Sequence, residues 1–478
     1  MSIKTSIPSN TRKPGRFFEF DVTSAARGLA PIDRRVALIG ARLTAGTVAA
    51  GIPTEVFTET DADTYWGKGS ELALMCRAAM KAGKKLARKG KKPPALWALA
   101  LADPAGVKAD FTFTVTGPAT AAGDVVFRIA GRTLRAGVAN AASATVIAAA
   151  MKTAVDQMLA DLPVTGAAAI GVLTVTANNV GVNGNDIDCS VMSAPAGVTV
   201  VAAAGVAGTG SYDTTASLDI LVDKQYHAVA IANHLSADVS DLKAHNDAVN
   251  APGAGMFTIA YLAEIGTATT ANALAVGANQ MDVVLVSAED CPNLTGEIAA
   301  QVAVTVEGHD DPAANLDGTE LDLYPPPAAS VPTATEIETA IAAGSLVLGV
   351  NNSQDQMTIV RAVTTKTAIN SVPFYNVLDL SNPRSLFYVA TQVDIAWAIA
   401  FDGAKQNART RQASVDVTYR VLKKCEDLEI THHVDDHKGE IVAETDPVVP
   451  TRINVAVPAS VIQNLHQIVS VVTLFVEG

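Results

Sequence analysis

The densest group of reactive side chains in the sequence is the run His432-His433-Val434-Asp435-Asp436-His437, three imidazoles and two carboxylates within six residues. All are ligand types for a divalent ion. On an extended strand His433, Asp435 and His437 would share one face, as alternation requires. The competing reading is a charged loop between the apolar runs LEI and EIVAE. No other His or Cys cluster is present to complete a site, so a solvated loop is expected and no metal is assigned. A second candidate is Tyr65 to Cys76, YWGKGSELALMC, which looks like a phosphate loop entering a helix. A Walker loop needs GxxxxGK followed by Ser or Thr. Here Lys68 is followed by Gly69, and Ala62 stands five before Gly67. The spacing fails, and the stretch reads as a tight turn with Ser70 as helix cap and Glu71 in the first turn. A third candidate, Glu307 to Gly318 (EGHDDPAANLDG), lacks the spacing of a calcium loop and reads as a loop of Asx turns. No GxSxG is present, nor a GxGxxG after a strand. The rival function, a metal-dependent or hydrolase-type enzyme using the middle region and the His432–His437 run, therefore has no identifiable base or orienter. No catalytic, cofactor-binding or metal residue is assigned.

The elements that would position such groups are legible in the hydrophobic pattern. Arg34 to Leu43 (RRVALIGARL) and Pro93 to Leu101 (PPALWALAL) read as buried strands. Between them Leu72, Met75, Cys76 and Ala79 repeat at helical spacing. From 106 to 210 the chain becomes rich in Ala, Gly and Thr. FTFTVT, DVVFRIAG and VLTVTA alternate as strands, and a helix bears Ile147, Met151, Ala154 and Met158. This is a small α+β module able to fold alone, inserted in the chain. From 211 to 334, HAVAIAN, MFTIAYLAE and MDVVLVS alternate with helices, the pattern of a mostly parallel sheet. From 335, ATEIETAIAAG is a helix stopped by Gly344 and MTIVRAVTTK a strand. Asn382-Pro383 opens a helix with a core stripe of Leu386, Val389, Val393 and Trp397. SVDVTYRVL alternates Val415, Val417, Tyr419 and Val421. The expected fold class is α/β and α+β, multidomain. The expected segments are an arm at 1–24, the first part of a core at 25–105, the insertion at 106–210, an α/β middle at 211–334, a C-terminal domain at 335–460 and a terminal strand at 461–478.

Bulk properties narrow the function. The 478-residue chain is 49% hydrophobic but 5% aromatic, and 17% charged with a formal net charge of −13. It is globular rather than disordered. The acidic balance disfavours nucleic acid, which rewards clustered Lys and Arg. No run of 18 apolar residues predicts a membrane span. The N-terminus has no apolar segment of a secretory signal. The four cysteines, Cys76, Cys189, Cys291 and Cys425, lie far apart and read as free thiols. One basic run, Lys81 to Lys92, holds seven Lys or Arg in twelve residues and reads as a solvated face or a contact with an acidic neighbour.

Both ends of the chain carry lone apolar strands. In FFEFDV, Phe18, Phe20 and Val22 point one way. In QIVSVVTLFVEG, Ile468, Val472, Leu474 and Val476 form one face, and Val469, Val471 and Phe475 the other. Such a strand invites pairing with another chain.

Several stretches, taken in order, resemble one family, the contractile tail sheath proteins of Mu-like phages. YWGKGSELALM resembles the family's aromatic-Gly-x-Gly-Ser turn and helix. AGRTLRAGVANAASA, ADLPVTG and NVGVNGNDID look like its inserted domain. HDDPAANLDGTELDLYPPP is similar to its acidic loop, and MTIVRAVTTKT to a sheath strand. The basic run Lys81 to Lys92 has no counterpart. The resemblance implies a sheath fold with a tube-proximal domain built from both chain ends and the insertion displayed outward. It implies a helical homo-oligomer of six-fold rings around a tail tube, with baseplate and tail terminator proteins as partners. It implies that Phe18, Phe20, Val22, Ile468, Val472, Leu474 and Val476 lie on arms that add strands to neighbouring subunits. It places the protein in the virion tail, assembled in the host cytoplasm, where contraction drives the tube through the host envelope for genome delivery. No cofactor, nucleic acid or membrane insertion is implied.

Overall fold

The computed structural model describes residues 29, 32–351 and 353–471. These fall into two compact units, one of the described residues within 33–385 with 463–471 and one of 29, 32 and 386–462. The N-terminal arm expected at 1–24, with Phe18, Phe20 and Val22, lies outside the described residues, as do Val472, Leu474 and Val476.

The larger unit is built on an eight-stranded sheet. Its first elements are strand β1 (Arg35–Ala41), the short β2 (Thr54–Glu55), helices α1 (Glu59–Trp66) and α2 (Glu71–Arg88), and β3 (Ala95–Leu101). Thr58 and Asp61 form a reciprocal capping box on α1, and the Ser70 hydroxyl accepts from the Ala73 amide at the start of α2. These satisfy amides that a helix start leaves open.

The insertion follows: β4 (Asp110–Thr116), β5 (Gly123–Ile129), β6 (Arg132–Val138), α3 (Ala144–Asp156), β7 (Val164–Ala169), β8 (Val172–Ala177), β9 (Cys189–Ser193) and β10 (Thr199–Ala204). They form two antiparallel sheets, β10-β4-β8-β7 and β6-β5-β9. Phe113 and Phe127, one from each sheet, meet edge to face with centroids 5.4 Å apart. The hydrophobic cluster of the insertion also takes in Leu74 of α2 and Leu294. The module expected to fold alone thus shares its core with the sheet domain.

The chain returns through α4 (Thr214–Asp219), β11 (Ala228–Ile231), α5 (Ser236–Val249), β12 (Ile259–Glu264), α6 (Ala268–Ala278), β13 (Val283–Ser287), α7 (Thr295–Glu307), α8 (Ala334–Ala343), β14 (Ser345–Val350), β15 (Met357–Ile359) and the hairpin β16 (Ala368–Ile369) and β17 (Val372–Pro373). The sheet order is β15-β14-β13-β12-β11-β1-β3-β2, parallel from β14 to β3 with an antiparallel strand at each edge. Strands β11, β12 and β13 are buried at every residue, which explains their unbroken apolar runs: helices cover both faces. On one face lie Leu218, Val239, Leu242 and the α6 residues Ala271, Ala275 and Ala278, from α4, α5 and α6. On the other lies α7, buried at all positions and packed against α2. The sheet also takes in β14 and β15, which the sequence reading assigned to a C-terminal domain from 335. The compact units part instead at 385/386, because the apolar strands after 345 extend the existing sheet rather than start a new one.

The smaller unit holds most of α9 (Ser381–Ala400), α10 (Ala408–Asp427) and a two-stranded sheet, β18 (Ala443–Thr445) and β19 (Ile453–Val455). Val389, Val393, Val421, Leu422, Cys425 and Ile430 make its core. The run SVDVTYRVL, whose alternation suggested a strand, is the middle of α10. Ser414, Val417, Thr418, Val421, Leu422 and Cys425 are buried, the i, i+3, i+4 stripe of a helix.

Candidate assembly interface

The loci where chemistry was sought are filled by the protein itself. Gly69 has φ +71°, and a Cβ there would fall 2.4 Å from the Leu162 carbonyl oxygen. The Asn178 amide donates to the Gly69 carbonyl at 2.9 Å. The turn is therefore packed against the insertion and does not open as an anion cradle. At the His432–His437 run the chain turns rather than extends. Asp435 accepts from the Tyr419 hydroxyl at 2.6 Å, His433 pairs with Asp436 and His437 with Glu440. His433, Asp435 and His437 each engage a different partner. In the acidic loop, Asp311 and Asn315 side chains accept from the amides of Ala313 and Asp317, as Asx turns do. The buried Arg384 guanidinium donates to the carbonyls of Val306, His309 and Pro312. The four cysteines are free thiols. Burial pushes Cys291 up to about 12 and Cys425 up to about 11, away from the thiolate form.

The crevice where open α/β sheets bind ligands, at the carboxyl ends of the strands where strand order reverses, lies here between β1 and β11. Residues 183–186 of the insertion fill it. The Asn183 amide donates to Glu71 at 2.8 Å and to Asn233 at 2.9 Å. Glu71 also accepts from the Ala41 amide, and burial raises its carboxyl above the usual range. Asp186 lies 3.6 Å from the His234 imidazole, which is 3.9 Å from Glu264. Burial pushes Asp186 up to about 6, against the attraction of His234 and with the help of Glu264. A second weld joins Arg132 of β6 to Glu297 of α7 in a buried two-pronged ion pair. Burial is the largest influence on Glu297 and would raise it, but the Arg132 charge together with the hydrogen bonds from Arg132, Asn293 and the Leu294 amide outweighs it and holds the carboxyl below its usual range. A third network sets Glu307 against Arg34 at 2.6 Å, with Arg384 and Tyr261 beside it. Sequence reasoning placed Glu71 in a helix first turn and Glu307 at the head of a loop but found none of these pairings. They come from segments up to 273 residues apart, and no local spacing marks them.

Surfaces that lack partners are of another kind. Strands β18 and β19 pair only with each other among the described residues. A two-stranded sheet is marginal by itself. The terminal segment is tied to the larger unit by Asn464 to Ser381, by the Leu465 carbonyl to Asn315, and by His466 to Asp317 at 2.6 Å. Beyond His466 it forms no strand through residue 471, and Ile468 is 83% exposed with Val469 at 87% and Val471 at 90%. Of the predicted arm residues, Ile468 is thus placed, bare. The basic run lies at the end of α2. Lys84 pairs with Glu59, Lys85 with Glu320 and Lys92 with Asp33.

The architecture of an α/β sheet, a two-sheet insertion and a helical second unit is that of tail sheath proteins. The sheath tail protein of Desulfitobacterium hafniense superposes with a TM-score of 0.50 over 90% of this chain and 94% of that one, at 14% identity. A chain of the anti-feeding prophage baseplate superposes with a TM-score of 0.50 over 98% of this chain and 100% of that one, at 9% identity. In sequence, the chain is 34% identical over 192 residues to the Mu-like prophage FluMu tail sheath protein of Haemophilus influenzae. That match covers 39% of this chain and 37% of the relative, little more than a third of the relative's length. No family profile matches the chain. The resemblance to Mu-like sheath proteins and the mixed α/β, multidomain class are both borne out. No helix among the described residues is long and apolar enough to cross a membrane.

Proposed function

We propose that this chain is a structural subunit of a contractile tail sheath. It polymerises as stacked six-fold rings around a tail tube and contracts to drive the tube through a host envelope during genome delivery. The observation that carries this reading is a sheath fold over nearly the whole chain together with sequence similarity to a Mu-like tail sheath protein. The surfaces support it. Among the described residues the edges of β18 and β19 are open to strand addition, and Ile468 to Val471 lie bare. Residues Phe18, Phe20 and Val22, with Ile468, Val472, Leu474 and Val476, are the proposed arm strands that pair with neighbouring subunits. Burying each large apolar side chain stabilises by about 1.5–3 kcal/mol before ordering costs. The tail tube, baseplate and terminator proteins are the proposed partners. Contraction then repacks near-rigid subunits between two lattices, a transition that needs a bistable packing and no active site.

Negative-stain electron microscopy of the purified chain over a range of salt tests this. Hollow striated tubes, abolished by deletion of residues 1–24, are the expected result. Discrete particles at every salt and protein concentration, with a stoichiometric bound metal ion, would return the enzyme reading.

A further inference from the structure

The eight-stranded sheet ends at β2, a two-residue edge strand beside an apolar groove. The groove is a cavity of about 730 Å³ walled by Val56, Phe57, Met80, Gly83, Pro94 and Leu96, with Glu55 and Glu59 also lining it. Phe57 is 72% exposed. Lys84 also lines the groove and is taken up by Glu59 at 2.6 Å, which leaves Glu55 to meet a cation from outside.

The same unit carries a projection of matching character. The β16–β17 hairpin turns at Asn370 and Ser371, both left-handed with φ of 49° and 64°, the backbone that two-residue hairpins favour. Ile369, Val372 and Tyr375 stand out from it at 43%, 63% and 51% exposure. Its base is clamped. The Asn279 side chain donates to the Ala368 carbonyl and accepts from the amides of Thr367 and Ala368. The Thr365 amide donates to the Val283 carbonyl. A projection fixed in this way loses little freedom when it docks. Lys366 lies half-buried at its foot, where its ammonium donates to the Asn279 carbonyl at 3.2 Å and carries no carboxylate partner among the described residues.

Hairpin and groove lie along the same margin of the sheet, at the amino ends of β13 and β3. Between β13 and β2 the order runs through β12, β11, β1 and β3, five spacings or roughly 24 Å at ~4.8 Å per strand. They cannot meet within one molecule. We propose that the β16–β17 hairpin of one copy seats in the β2-edge groove of the next, with Lys366 facing Glu55 across the contact. The contact is head-to-tail, so it does not close on itself as a two-fold contact does, and it propagates into rings or helices. It rests on the reading that the chain polymerises, and names one surface on each side that does so. The ion pair at its rim makes it weaken with salt.

The test is a cross-link between two singly substituted proteins, Phe57→Cys and Val372→Cys, mixed under mild oxidation. The native thiols are buried or half-buried, so background exchange is low. A dimer band should form from the mixture and be absent from either protein alone. It should also be absent when Phe57→Cys is mixed with Ile170→Cys, a residue 92% exposed on the insertion. Independently, Val372→Asp, at an exposed site that does not disturb folding, should raise the concentration needed for polymerisation about tenfold or more. Lys366→Glu should do so less, and Glu55→Lys in the same chain should restore it. Polymers that form normally from Val372→Asp, with no cross-link above the control, overturn this contact and leave the sheath reading standing. A chain that never polymerises removes both.

Discussion

At the scale of single residues, the polar groups that matter are those that close gaps between distant segments. Arg132 and Glu297 are both buried, and Glu297 also accepts from Asn293 and from the Leu294 amide. Removing one partner leaves a buried charge, which costs about 3–5 kcal/mol. Arg132→Met should therefore lower the denaturation midpoint strongly, and Arg132→Met with Glu297→Gln should recover part of the loss. Equal midpoints for the two variants would show that the ion pair is not what joins the insertion to α7. Asp186 makes a prediction of opposite sign. Its folded carboxyl titrates near 6, above the ordinary value of 3.8. The folded state therefore binds this proton more tightly than the unfolded chain does. The charged form costs stability in full above about pH 6, and that cost is relieved progressively as pH falls from about 6 towards 3.8. Asp186→Asn should stabilise the protein at pH 7.5 and flatten its stability between pH 7.5 and 5.5, by roughly 1–3 kcal/mol at the upper end. An unchanged pH slope by urea denaturation would refute it. Neither site was legible in the sequence. Ser70 could be read as a cap because its partner is three residues away, whereas Asp186 meets His234 and Glu264 only through the fold.

At the scale of elements, legibility followed length and burial. The strands of the parallel sheet were plain because both faces are covered and every position is apolar. The segment Ser414 to Leu422 misled because Val415, Val417, Tyr419 and Val421 alternate, and β-branched residues favour strands. What decides is the longer window. Asn407 caps a 20-residue helix through the amides of Arg409 and Thr410, and the buried positions come in adjacent pairs, Val417 with Thr418 and Val421 with Leu422. A strand would send the members of each pair to opposite faces. The helix requires both to be core. Leu422→Ala should cost about 2–5 kcal/mol and Val421→Ala should also destabilise measurably, while exposed Arg420→Ala should stay within roughly 0.5 kcal/mol. A neutral Leu422→Ala in thermal denaturation would put that residue on a solvent face and revive the strand.

At the scale of the whole molecule, the insertion shows what composition reveals and what it hides. The composition shifts to Ala, Gly and Thr near 106 and back near 210, and Val107 bridges Thr209 between those points. At that neck a Cβ on Gly106 would fall 1.9 Å from the Thr209 carbonyl oxygen, so the two strands leave the sheet domain side by side. Composition also suggested a module that folds alone, and here the packing differs. Leu74 and Leu294 belong to the sheet domain in sequence, yet they sit in the insertion's core, and Arg132, Asn178 and Asn183 reach back to Glu297, Gly69 and Glu71. Excision of residues 107–209, with Gly106 joined to Gly210, is easy at the neck but strips these contacts together. Leu74 and Leu294 would face water, and Glu297 and Glu71 would lose their partners. The shortened chain should bind a hydrophobic dye and melt well below the full chain. Replacing Leu74 and Leu294 by Ser and Glu297 by Gln in the shortened chain should suppress the dye binding. If the sheet domain instead melts unchanged after simple excision, the insertion is an independent bead. On the proposed sheath function the insertion would then be free to move during contraction, which the shared core argues against.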